Sequence, residues 1–101
     1  MARRLNEWQM SLEVEELEDL LEARPHLAHL RVRTWGDSMI LYSGDKRDRQ
    51  NHGRLTCLGR DVWGLSFPKH AGGWERIPMA GTIREMLDML DENFGAYLEP
   101  F

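Results

Sequence analysis

The hydrophobic period of this 101-residue chain changes twice, and those changes constrain its fold more than any single motif. Near the N-terminus, Met10, Val14, Leu17 and Leu21 recur at helical spacing, with Leu20 widening the stripe. From residue 29 the period shortens to two, and from Thr82 it returns to that of a helix. The pattern therefore predicts helix, strands, helix. The first helix is expected over Leu12–Ala23, with Ser11 as its N-cap and acids in its first turns, where the helix dipole favours them. Pro25 ends it, because the residue before a proline is pushed out of the helical region. Residues 1–9, which include Leu5 and Trp8, read as a loose N-terminal arm or a preceding turn.

In the middle, Leu30, Val32 and Thr34 alternate with His29, Arg31, Arg33 and Trp35. Gly36-Asp37 is a two-residue turn signal joining this strand to one over Ser38–Ser43. Gly44–Gly53 contains no apolar residue and is expected to be an exposed loop. A second hairpin is predicted from Arg54–Leu58 and Val62–Phe67, turning at Gly59-Arg60-Asp61 and stopped by Pro68. A loop over Lys69–Gly73 leads to a short strand at Trp74–Ile77. Thr82-Ile83-Arg84-Glu85 then matches a capping box, and Ile83, Met86, Leu87, Leu90 and Phe94 form the stripe of the last helix. Gly95 suits a left-handed C-terminal cap, with Tyr97, Leu98 and Phe101 as a tail folded back on the core. The fold class is α+β: an N-terminal helix, a four- to five-stranded antiparallel meander, and a C-terminal helix, in one domain over residues 1–101. Both helices carry one apolar stripe, so both pack on one sheet face and leave the other wet or available to another molecule.

Charge follows the same segmentation. Residues 1–23 balance to −5, residues 24–76 to +5 and residues 77–101 to −4, giving the net −4. The basic segment also holds all four His and three of the four Trp. A net negative molecule is a poor indiscriminate nucleic-acid binder, but a basic, aromatic middle can still select a partner. No apolar run reaches the roughly 18 residues of a membrane span. The N-terminus lacks the apolar core of a secretory signal, and Cys57 has no second cysteine to pair with. These features predict a cytoplasmic protein without a membrane partner.

The candidate binding residues are Arg31, Arg33 and Trp35 on the first strand, Lys46, Arg47 and Arg49 in the loop, and Arg54 beyond it. Cations for phosphate and flat rings for bases make such a set suitable for nucleic acid. The plainer reading is a solvated face, or one neutralised by the acidic helices. His52 and His70, with Arg54, Arg60 and Lys69, supply the residue types of a metal-independent ribonuclease, though no spacing is diagnostic. A metal site from His52, Cys57 and His70 lacks the close paired spacing of zinc sites, so no metal or cofactor is implied. Gly72-Gly73 is a turn rather than a phosphate loop, and Ser38, Ser43 and Ser66 lack the context of a nucleophile. Trp63, Leu65 and Phe67 share a strand face and read as core, as does Cys57. Glu13, Glu15, Glu16, Glu18, Asp19 and Glu22 form a solvated helix face or a docking surface for a basic partner.

Leu55-Thr56-Cys57-Leu58-Gly59, Trp63-Gly64-Leu65-Ser66-Phe67, Gly73-Trp74-Glu75, Gly81-Thr82 and Phe94-Gly95 together resemble small uncharacterised bacterial proteins. Those proteins carry a WGLSF-type strand followed by a GxWE segment. The resemblance implies a bacterial or mobile-element source and no activity. The residues themselves favour a non-catalytic binding module: a small protein–protein interaction or regulatory protein, or a homo-oligomer. Nucleic-acid binding through the basic strands and the 44–54 loop comes next, and ribonuclease activity last.

Overall fold

The computed structural model describes residues 5–69 and 71–93. Helix α1 spans Glu7–Glu22. It starts more than a turn before the expected Leu12, and the reason is local. The Asn6 side chain accepts the Gln9 amide at 2.8 Å while the Gln9 side chain accepts the Asn6 amide at 3.3 Å. This capping box satisfies the first free amides, so Trp8 lies within the helix rather than on a loose arm. Ser11, the expected cap, instead donates its hydroxyl to the Glu7 carbonyl at 2.9 Å. Leu5 and Met10 occupy the two positions of a hydrophobic staple and both join the core. Met10, Leu17 and Leu21 are buried, with Val14 and Leu20 packed beside them, as the spacing requires. Arg24 is extended before Pro25, and a single 3-10 turn over Pro25–Leu27 brings the chain to the sheet.

The sheet has five strands in the order of the chain, every neighbouring pair antiparallel: β1 Arg31–Trp35, β2 Ser38–Ser43, β3 Gln50–Gly59, β4 Val62–Pro68 and β5 Trp74–Gly81. Two strands are longer than expected. β3 begins at Gln50, so only the front of the predicted 44–53 loop is loop. The polar residues enter the sheet because backbone pairing, Tyr42 with Asn51 and Ser43 with Gln50, is indifferent to side-chain polarity. β5 reaches Gly81 because Pro78 and Met79 sit in an irregularity between the Leu65–Ile77 and Gly64–Ala80 pairs. A proline at a bulge in an edge strand removes no ladder hydrogen bond. Gly36, at φ +59°, opens the two-residue turn between β1 and β2.

Helix α2 spans Ile83–Asn93. Its capping box forms as predicted: Thr82 N donates to Glu85 Oε1 at 2.9 Å and Glu85 N to Thr82 Oγ1 at 3.1 Å. Ile83, Met86, Leu87 and Leu90 are buried. Phe94, Gly95 and the C-terminal tail lie outside the described residues. Both helices cover the same sheet face, built from Met39, Leu41, Leu55, Cys57, Trp63, Leu65 and Phe67, with Val32 and Ile77 at its margins. Arg24 ties the end of α1 to α2 through ion pairs with Asp88 and Asp91, and His26 reaches Asp91 at 2.7 Å. Among the described residues, no helix is long and apolar enough to cross a membrane.

Candidate binding face

The helices leave the second sheet face to solvent, and strand register decides what it presents. Cross-strand partners share a face. One row runs Arg33, Ile40, Arg54, Ser66, Arg76 across all five strands. Arginine thus recurs on β1, β3 and β5, in a row that spans roughly 19 Å at the usual strand spacing. Arg31, Tyr42 and Asn51 form part of the next row, and Trp74 stands opposite Pro68 on the same face as Arg76. At the other end, Trp35 begins the row Trp35, Ser38, Thr56, Gly64, Ala80.

Local contacts hold the cations over this face. The Arg33 guanidinium donates to Asn51 Oδ1 at 3.0 Å, and its carbon lies 6.0 Å from the Tyr42 ring centre. Arg54 donates through Nε to Ser38 Oγ at 2.8 Å and reaches the Trp74 ring at 5.8 Å. Ile40, buried yet outside the core of the helix-covered face, lies in register between Arg33 and Arg54. Long cationic side chains cover apolar surface in this way while keeping their heads wet. Gly64 is a close bed for Arg76: a Cβ there would lie 3.3 Å from a guanidinium nitrogen.

Of the residues predicted from sequence, Arg31, Arg33, Trp35 and Arg54 share this face. Arg49 joins them from the loop, its guanidinium 5.0 Å from the Tyr42 ring centre. Lys46 and Arg47 remain exposed in the loop, where Asp45 accepts the backbone amides of Arg47 and Asp48. Those two hydrogen bonds, led by the one from Asp48, hold the Asp45 carboxyl below its ordinary pKa. The sequence alone does not mark Tyr42, Trp74 and Arg76 as binding residues. Their signal was the period-two placement of Trp74 and Arg76, which acquires meaning only once the meander register is known.

Among the described residues, the acidic helices form no ion pair with this face. Among the described residues, no carboxylate pairs with Arg31, Arg33, Arg54 or Arg76; the ion pairs join Arg24 and His26 to α2. The charge segmentation of the chain thus becomes a separation between opposite sides of one sheet. Arg33 Nε is also the one buried side-chain polar atom without an acceptor among the described residues. Such an orphan carries a desolvation cost that the surrounding side chains leave uncompensated.

The histidines behave differently from expectation. His52 is a buried strand residue, not a loop group. The register shift opposite Leu41 and Tyr42 leaves it as the extra residue of a bulge, and its Nε2 lies 2.6 Å from Ser43 Oγ. His29 precedes β1 and makes an edge-on ring contact with His52 at 6.3 Å, so it does not continue the row of Arg31, Arg33 and Trp35. Arg60 turns at the opposite end of β3 from His52, and His70 lies outside the described residues. The structure therefore does not bring Arg60 to His52. Cys57 is buried in the core beside Leu55, and the described residues contain no group of three potential metal ligands. No family model, curated protein or solved structure matches the chain.

Proposed function

We propose that this protein is a non-catalytic binding module whose sheet face receives single-stranded nucleic acid. The observation that carries the reading is the row of Arg33, Arg54 and Arg76, flanked by Arg31, Trp35, Tyr42 and Trp74, on a face without paired carboxylates among the described residues. Guanidinium groups bind phosphate oxygens strongly because their planar donors match the acceptor geometry. Aromatic rings add base stacking that any base can satisfy. A duplex hides its base faces, and reading it requires an element that enters a groove. An open five-stranded face with rings at both ends suits unpaired bases instead.

The test is an anisotropy titration of labelled single-stranded RNA, single-stranded DNA and duplex DNA at low and moderate salt. Saturable, salt-sensitive binding that favours single strands is the expected outcome. Equal or tighter binding of the duplex, or no binding at low salt, would refute the reading. Cleavage of the RNA would reopen the ribonuclease reading.

A further inference from the structure

The other side of the molecule carries a groove that the sheet-face reading does not use. It lies between α1 and the turn joining β3 to β4. One lobe, about 440 Å³, is lined by Leu5, Trp8 and Leu12 of the N-terminal segment and floored by Cys57 and Trp63. A second lobe, about 240 Å³, continues past Glu16 and Leu20 to the start of α2 and shares Asp61 and Trp63 with the first. From Trp8 to Leu20 the helix rises roughly 18 Å, a little over three turns.

Two properties of this groove need explanation. Trp8 and Leu12, one turn apart on α1, are 71% and 48% exposed. Large apolar side chains adjoining a cleft are characteristic of docking surfaces. Glu13, Glu16 and Asp61 also converge on the walls, and none is paired with a cation among the described residues. Arg60 and Arg84 line the lobes but form no ion pair with the three carboxyls. Burial first, then the charges of Glu16 and Asp61, push the Glu13 carboxyl above its ordinary pKa. The site therefore disfavours its own negative charge, and a cation brought by a partner would relieve it.

We propose that this groove docks an amphipathic helix of another protein, one that places apolar side chains against Trp8, Leu12 and Trp63 and lysine or arginine against Glu13, Glu16 and Asp61. An amphipathic helix lying in an apolar groove is a recurring recognition mode, and charge complementarity sets its register. Among the described residues, neither helix of a second copy offers the cationic face required: α1 contains no Lys or Arg, and α2 contains only Arg84. The inference does not depend on what binds the sheet face.

The test uses two designed helical peptides of about 15 residues. Both carry the same leucine face, one with lysine and the other with glutamate on the polar face, and a scrambled lysine peptide serves as control. Binding is followed by amide chemical-shift mapping on the full chain. The lysine peptide should shift the amides of Leu5, Trp8, Leu12, Glu13 and Asp61, while the glutamate and scrambled peptides should not. The exposed-site variant Leu12→Lys should abolish binding, and Glu13→Gln with Asp61→Asn should weaken it about tenfold or more. Each variant's own spectrum reports whether it is folded, and Leu12→Ala replaces any variant that is not. Equal binding of the scrambled peptide, shifts elsewhere, or unchanged affinity in the folded variants would overturn the proposal. So would concentration-dependent shifts of the same amides without peptide, which would make a second copy the occupant.

Discussion

Replacing Trp63 with alanine tests the division of the aromatic residues into core and surface. Trp63 is 1% exposed, stands opposite Cys57, and shares its strand face with Leu65 and Phe67. Deleting a large buried aromatic side chain costs about 3–5 kcal/mol through lost burial and the void left behind. One edge of Trp63 lines the groove beneath α1, so water can enter part of the new space, which favours the lower half of that range. Unfolding entropy scales with chain length, giving about 0.2 kcal/mol per kelvin for a chain of this size. The expected fall in Tm is then roughly 14–19 °C. Thermal unfolding followed by far-UV circular dichroism, with urea unfolding as a check on two-state behaviour, provides the assay. A Tm within about 5 °C of the parent protein would refute the burial argument. Trp63 would then have to be returned to the set of rings free to stack on a ligand.

Other perturbations separate the two faces. Replacing Arg31 and Arg76 together with alanine should leave the fold intact, since both are exposed. If four sheet arginines meet phosphates, the slope of log affinity against log salt should fall in magnitude from about 2.8 to about 1.4; an unchanged slope contradicts that contact set. Trp35 is 65% exposed, so Trp35→Ala should alter stability by less than about 0.5 kcal/mol. The same change should weaken single-strand binding by about 1–3 kcal/mol, and full affinity would remove Trp35 from the binding face. Burial and like charges raise the Glu13 pKa, so the folded state holds this proton more tightly than the unfolded chain. The site's contribution to stability therefore declines as pH rises from the ordinary value of 4.5 through the raised one. Glu13→Gln should raise Tm at neutral pH and lose that advantage below pH of about 4; an equal effect at both pH values would show that charge is not the cause.

How far the sequence reveals this fold depends on the range of the interaction involved. The α2 capping box is legible because Thr82 and Glu85 satisfy each other within one turn. The Asn6–Gln9 box is equally local, but Ser11 and the acids after it form a competing start signal, and only packing of Leu5 and Met10 reveals the earlier one. The start of β3 could not be read from polarity. Gln50, Asn51 and His52 resemble loop residues, and their place in the sheet follows from pairing with β2 and from a bulge. The same holds for the binding face. Arg31, Arg33 and Trp35 alternate visibly along one strand, whereas their alignment with Arg54 and Arg76 is a property of five-strand register. Charge segmentation indicated that opposite charges were separated along the chain. Only the placement of both helices on one face turns that into a separation in space.

The most direct test of the central claim is amide chemical-shift mapping of the protein titrated with a short single-stranded RNA. The account predicts shifts in residues 31–35, 38–42, 54–56 and 74–76, strongest where Arg33, Arg54 and Arg76 align, with α1 and α2 unchanged. Shifts confined to the helices, or none at low salt, would contradict it.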